Sequence, residues 1–343
     1  MMNVISNVDE LDEVLSRPTD GAREAMRRVQ GDVILLGAGG KMGPTLARMA
    51  RRALDETGQT QRRVLAVSRF SSRKAAEDLQ RHGVETISAD LLNPAEVAAL
   101  PLVPNVFFMA GQKFGTQDAP ELTWAMNTLV PAHVAEHYKA SRMVVFSTGC
   151  VYPLMPADGR GATEDDPLTP PGEYANSCVG RERLFGHFAK KHGTALLYFR
   201  LCYAIDLRYG VLHDVARKVL HDEPVDVTMG VAHVIWQGDA NARALQSLEL
   251  ASSPPRALNV TGLERVRIRE LAAKFGKIMG REPIFTGAES PMAWIWDASR
   301  SYEAFGAPTV SLEEMIQATS DWLMRGGETL NKPTHFEVTS GNF

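Results

Sequence analysis

Val33-Ile34-Leu35-Leu36-Gly37-Ala38-Gly39-Gly40-Lys41-Met42-Gly43 is the stretch that decides the fold. A short apolar run ends in glycines spaced three apart (Gly37, Gly40, Gly43), and a helical pattern begins at once. A buried strand needs such glycines to turn tightly, to bring backbone close to a ligand and to seat the next helix on the sheet. The free N–H groups and positive end of that helix then suit a pyrophosphate. Three glycines alone can simply make a turn. The strand before and the amphipathic helix after make this a dinucleotide loop, with Gly37, Gly39, Gly40, Lys41, Met42 and Gly43 as its cofactor contacts.

Outward from this loop, apolar runs alternate with helical patterns. Val64-Leu65-Ala66-Val67, Val84-Glu85-Thr86-Ile87, Val106-Phe107-Phe108-Met109, Met143-Val144-Val145-Phe146 and Leu196-Leu197-Tyr198-Phe199 read as strands. Lys41–Thr57, Ser72–His82 and Thr123–Tyr138 carry helical spacing. The alternation predicts an α/β fold, a doubly wound parallel sheet of Rossmann type. Residues 31–205 form its dinucleotide-binding core. After about residue 205 the rhythm loosens, so 206–325 are expected to be mostly a smaller C-terminal α/β substrate lobe, and 326–343 an irregular tail. Residues 1–30 form a helical extension, read either as packed on the domain or a partner subunit, or as a partly ordered tail.

The 343 residues are 44% apolar and 23% charged with net charge −4, values of an ordinary globular protein with no basic domain for nucleic acid. Three cysteines (Cys150, Cys178, Cys202) make no disulfide framework, and no run is long and apolar enough to span a bilayer. The expected setting is the cytoplasm, without membrane or nucleic-acid partners. No metal-ligand spacing is visible around His213, His221 or His233.

The end of the second strand bears on the choice of dinucleotide. An acidic residue there would accept from a ribose hydroxyl and repel a 2′-phosphate. Ser68-Arg69-Phe70-Ser71-Ser72-Arg73-Lys74 offers no carboxylate, so Ser68 and Arg69 favour NADP over NAD. The bland alternative is a solvated helix start. Asp90 and Leu91, after the third strand, are placed at the adenine. Ala110 and Gly111, after the fourth, suit backbone passing close to a bound ring.

Phe146-Ser147-Thr148-Gly149-Cys150 follows the fifth strand, and Glu173-Tyr174-Ala175-Asn176-Ser177-Cys178 lies further on. With the glycine loop, Asn127, Ser147-Thr148 and Tyr174 in its Tyr-Ala-x-Ser setting, the chain resembles the extended short-chain dehydrogenase/reductase family, of the NAD-dependent epimerase/dehydratase type, from about Asp32 to Trp322. The resemblance implies that Thr148 orients a substrate oxygen, Tyr174 passes a proton as hydride moves to or from the nicotinamide, and Asn127 supports the site. It also implies a lysine four residues after the tyrosine, where its charge would favour tyrosinate. This chain has Cys178 there. Arg181, one turn on, is a partial substitute. Cys178 is then either a buried helix cysteine or a reactive thiol near a helix start.

Gly149, Cys150, His233 and Trp236 join Thr148 as substrate-pocket candidates. Gly230-Val231-Ala232-His233-Val234-Ile235-Trp236 looks like the segment where sugar-nucleotide epimerases carry a diphosphate-gripping arginine. Ala232 falls at that position, with Arg217, Arg265, Arg267 and Arg269 as possible replacements. The expectation is therefore an NAD(P)-dependent oxidoreductase or epimerase acting on a hydroxyl or ketone of a carbohydrate-like small molecule, not a nucleotide diphosphate sugar. The competing expectation, from the missing lysine, is a dinucleotide-binding sensor or interaction protein that has lost catalysis. The family often pairs through the helices after the fourth and fifth strands. A homodimer is expected on that ground, with Leu184, Phe185 and Phe188 either at the interface or buried within the subunit.

Overall fold

The computed structural model describes residues 4–113, 115–116 and 118–341. Residues 1–3 of the expected extension and 342–343 of the expected tail lie outside these. Seven strands form one parallel sheet: β1 (Val33–Leu36), β2 (Val64–Ser68), β3 (Glu85–Ser88), β4 (Asn105–Phe108), β5 (Arg142–Thr148), β6 (Leu196–Leu201) and β7 (Arg256–Val260). Their order is β7-β6-β5-β4-β1-β2-β3. All four residues of β1 are buried, as are all four of β4, which explains why these strands read as unbroken apolar runs.

Alternation within the strands divides the core in two. Val33, Leu35, Val64, Ala66, Phe107, Val144 and Phe199 pack on one side with helix α3 (Gly43–Glu56), while Ile34, Leu36, Leu65, Val67, Phe108 and Val145 pack on the other with Phe185. The chain runs outward from β1 to β3 and then crosses to β4. Loops leaving β1 and β4 therefore diverge, and the crevice between them is where an open α/β sheet binds ligands.

Two features of the organisation matter, the setting of the N-terminal helices and a strand from the C-terminal part. Helices α1 (Val8–Leu15) and α2 (Asp20–Arg28) of the extension pack on the domain itself. Leu11, Leu15, Ala22, Ala25 and Met26 have no exposed surface, and Arg52 Nη1 donates to Glu13 Oε2 at 2.8 Å. Strand β7 comes from the stretch expected to be mostly lobe, yet it pairs along β6 from Arg256 opposite Leu197 to Val260 opposite Leu201. Its five residues are too short and mixed to announce membership of the main sheet. The remaining strands of the C-terminal part are two-residue pairings. Among the described residues no helix is long and apolar enough to cross a membrane.

The helix after β4 is not uniform. It runs from Pro120 to His137 with a π-helical stretch at Ala125–Leu129. Pro131 has no N–H to give to the carbonyl of Asn127, and Val130 N–H instead reaches back to Ala125 O. Asn127 sits in this stretch with no exposed surface.

Candidate active site

One cavity of about 320 Å³ opens at the carboxyl ends of β1, β4, β5 and β6. The glycine loop (Gly37, Gly40, Lys41, Met42, Gly43) forms one wall, and Thr148, Cys150 and Tyr174 face it. Gly37 has φ 89°, and a Cβ there would lie 2.6 Å from Ala110 N, so the β1 and β4 loops touch only because position 37 has no side chain. A Cβ on Gly43 would lie 2.2 Å from Ala38 O. No side chain caps the start of α3. Gly40, Lys41, Met42 and Gly43 line the cavity at this uncapped end, a setting that fits a dinucleotide pyrophosphate. Lys41 folds into the same space. Its Nζ donates to Ala204 O at 2.8 Å and lies 4.4 Å from the Tyr209 ring centre, and burial pushes its pKa down to about 8 against the pull of Asp206.

Gly39 stands beside Ser68, whose hydroxyl would sit 2.4 Å from a Cβ at position 39. Ser68, exposed Arg69, Asp90 and Leu91 lie at the ends of β2 and β3, outside the cavity wall. Asp90 Oδ1 accepts from Leu92 N at 3.0 Å.

On the other side, the two hydroxyls after β5 have different fates. Ser147 Oγ donates to buried Glu182 Oε1 at 2.6 Å, whereas Thr148 lines the cavity and accepts from Cys150 N at 3.1 Å. Helix α4 (Glu173–His192) presents Tyr174 to the cavity. Cys178, one turn on, is fully buried, and the Tyr174 hydroxyl is hydrogen-bonded to its thiol. Burial first, then the nearby thiols, push the Tyr174 pKa well above its ordinary value, and Arg181 opposes them. Arg181 does not enter the cavity wall. Its guanidinium donates to Phe146 O (2.9 Å) and to Asn127 Oδ1 (2.6 Å). Burial likewise raises the Cys178 and Cys150 thiols, so neither is a ready thiolate.

Asn127 works through the β4 loop rather than from the cavity. Its Oδ1 accepts from Gln112 N (3.0 Å), and its Nδ2 donates to Gln112 O (2.9 Å) and Ser177 Oγ (2.9 Å). Gly111 permits this, because a Cβ there would lie 2.3 Å from Arg181 Nη2 and 2.9 Å from Asn127 Oδ1.

Two substrate candidates are not brought to the cavity. His233 is buried with Nδ1 3.0 Å from Gly262 O, and Trp236 is 2% exposed and packed in the core with Leu11 and Leu15. Trp236 lies on a two-residue strand and His233 just before it, and both are buried. Gly149 lends its carbonyl to Trp296 Nε1 (2.8 Å) and has no room for a side chain beside Cys202. Trp296 itself lines the cavity, and so do four residues that sequence reading did not single out, Lys113, Tyr203, Tyr209 and Thr334. Tyr203 adopts φ 45°, a strained conformation for a tyrosine. Lys113 had a faint signal, two residues past the small pair that ends β4; Thr334, in the irregular tail, had none. Ala232 is buried in a two-residue pairing with Val266. The four arginines that might replace it are tied elsewhere: Arg217 to Glu223, Arg265 to Gly159 O, Arg267 to Asp158 and Arg269 to Glu289. Among the described residues no three His, Cys, Asp or Glu side chains cluster to hold a metal.

Sheet order, glycine loop and cleft define a Rossmann-type α/β protein of the extended short-chain dehydrogenase/reductase group. The chain belongs to the NAD dependent epimerase/dehydratase family, whose model matches residues 33–231, and it is an enzyme of that type. No curated protein sequence matches it. Among solved structures it is similar to UDP-glucose 4-epimerase of Thermus thermophilus in complex with NAD (TM-score 0.70, 20% identity, 84% of this chain and 98% of that one). It is also similar to UDP-glucose 4-epimerase of Thermotoga maritima with UDP-glucose (0.70, 18%, 86% and 99%). UDP-glucuronic acid 4-epimerase of Bacillus cereus with UDP-glucuronic acid and NAD aligns with TM-score 0.69 at 18% identity over 86% and 99%. At these identities the likeness is one of fold.

Proposed function

We propose that the cleft binds a nicotinamide dinucleotide, NADP in preference to NAD, and that the enzyme interconverts a hydroxyl and a ketone on a carbohydrate-like small molecule. The observation that carries this is the convergence of Thr148, Tyr174 and the glycine loop on one cavity. The bound dinucleotide supplies or takes up hydride. Thr148 orients the substrate oxygen and Tyr174 gives or takes its proton. The uncapped start of α3 would hold its pyrophosphate, with Lys41 to supply positive charge. Arg69, exposed at the end of β2 with no carboxylate beside it in sequence, supports NADP.

Two of the three solved structures named above are described with a UDP-sugar bound, and all three carry the name of a UDP-sugar epimerase. For this chain we propose a smaller substrate without a nucleotide diphosphate, such as a polyol, free sugar or sugar acid. Ala232 offers no charge to a diphosphate, and Arg217, Arg265, Arg267 and Arg269 are engaged elsewhere. A homodimer through the Pro120–His137 segment and α4 is part of this reading. Leu122, Trp124 and Leu129 expose 43%, 38% and 47% of their surface there, whereas Phe185 is buried against Phe108 inside the subunit. Calorimetry with NADP and NAD tests the cofactor. A panel of polyols, sugar acids and UDP-sugars, followed at the reduced-nicotinamide absorbance and by product analysis, tests the substrate. Tight binding of a UDP-sugar with turnover would overturn the small-substrate reading.

A further inference from the structure

The position where the family resemblance calls for a cation holds a neutral thiol. Cys178 bonds the Tyr174 hydroxyl but brings no charge to favour a phenolate. Arg181 is turned to Phe146 O and Asn127 Oδ1. Its charge reaches Tyr174 from outside the cavity wall.

Lys113 stands elsewhere. It follows Gly111-Gln112 at the end of β4 and lines the same cavity as Thr148, Cys150 and Tyr174. Its placement is enforced. Asn127 grips Gln112 at both N–H (3.0 Å) and C=O (2.9 Å), and the same Asn127 is bonded to Ser177 and Arg181 of α4. The residue before Lys113 is thereby pinned to the helix that carries Tyr174 and Cys178. At the far end, Lys113 Nζ donates to Thr334 O at 3.3 Å. Thr334 is itself held by Asp214 Oδ2 through its N–H (2.8 Å) and its hydroxyl (2.6 Å). Backbone and ammonium are both fixed across the cavity from opposite sides.

We propose that Lys113 supplies the positive charge that stabilises the Tyr174 phenolate, a task moved from the fourth residue after the tyrosine to the loop after β4. This deepens the proposed function and rests on it. In the direction that forms an alcohol, the Tyr174 O–H bond breaks and its proton goes to the substrate oxygen. The hydride that completes the alcohol comes from the reduced dinucleotide. The phenolate left behind shares the cavity with the Lys113 ammonium, which keeps all its hydrogens, and is reprotonated from solvent. Oxidation is the reverse. Lys113 acts through Tyr174 and is a positioning residue.

Lys41, Cys202, Tyr203 and Tyr209 line the same cavity as this pair. Cys178 and Arg181 come from α4 and Cys150 from the turn after β5, while Asp214 and Glu337 face the lysine from the helix Val211–Leu220 and the tail. Lys113 already acts on both sulfurs. Burial pulls its own pKa down, and the two thiols, Asp214 and Glu337 hold it up.

The test is a tyrosinate absorbance titration of the cofactor-free full chain, with the Tyr174 signal isolated by subtracting Tyr174→Phe. Lys113→Met is expected to move the Tyr174 midpoint up by about 1–3 pH units, the usual effect of removing a nearby opposite charge. Lys113→Arg, which keeps the charge, is expected to hold the wild-type midpoint. An unmoved midpoint in Lys113→Met overturns the proposal, as do equal shifts in both variants or a wild-type Tyr174 that never ionises before alkaline unfolding. Calorimetry on the same samples separates the two levels. A wild-type chain that binds neither dinucleotide refutes the proposed function, whereas intact binding with an unmoved midpoint refutes the role of Lys113 alone.

Discussion

Replacing Arg200 with leucine tests how the hydroxyl end of the site is held. Arg200 sits on β6 directly opposite Ser147 of β5. Its Nη2 meets Glu182 Oε2 at 2.7 Å and its Nε meets Oε1 at 3.0 Å, and the two side chains are 6% and 4% exposed. Glu182 Oε1 also accepts from Ser147 Oγ, and Arg200 Nη1 donates to Tyr152 Oη at 2.6 Å, which donates to Asn259 Oδ1 at 2.8 Å. Solvent screening is small at this depth, so the surface value of ~0–1 kcal/mol for an ion pair does not apply. Arg200→Leu leaves the Glu182 carboxylate buried without its cation, and the expected loss is about 3–5 kcal/mol of unfolding free energy. Urea denaturation of wild type, Arg200→Leu and Glu182→Leu/Arg200→Leu measures this. The double variant should recover much of the loss, because no charge remains to be solvated. A single-variant cost below about 1 kcal/mol, or a double variant no better than Arg200→Leu, refutes the reasoning.

Further outcomes follow from the same geometry. Gly43→Ala drives a Cβ into the Ala38 backbone and should cost about 1–3 kcal/mol by overpacking, with weakened dinucleotide binding, read by thermal unfolding and calorimetry. Tyr174→Phe should lower turnover by about 10²–10⁴-fold while dinucleotide affinity falls far less. Lys41, held down to about 8 by burial, loses its charge as pH rises through that value, so dinucleotide affinity should decline there in wild type and stay flat in Lys41→Met. Because the unfolded chain keeps that proton up to the ordinary 10.5, wild type should gain unfolding free energy relative to Lys41→Met as pH rises across this window, as equilibrium denaturation of both at several pH values will show.

Local regularities in the chain carried the architecture. Apolar runs buried on both faces, helices between them and glycines at the first turn are short-range patterns, set by strand and helix geometry, so the parallel sheet and its phosphate loop could be read without coordinates. Thr148, at the end of β5, and Tyr174, at the start of α4, were picked out by the family resemblance, and both line the one cavity. Packing decided the rest. Strand β7 is five mixed residues whose place beside β6 depends on the whole sheet. His233 and Trp236 share a polar or aromatic character with pocket residues, yet Trp236 is paired beside β6's continuation and His233 is held at Gly262 O, and both are buried. Lys113 meets the carbonyl of Thr334 across 221 positions of sequence, and Asn127 fixes the loop that carries it. No periodicity links such residues. They converge because hydrogen bonds and burial fold distant loops onto one sheet edge, and that edge is formed only when the tertiary structure is complete.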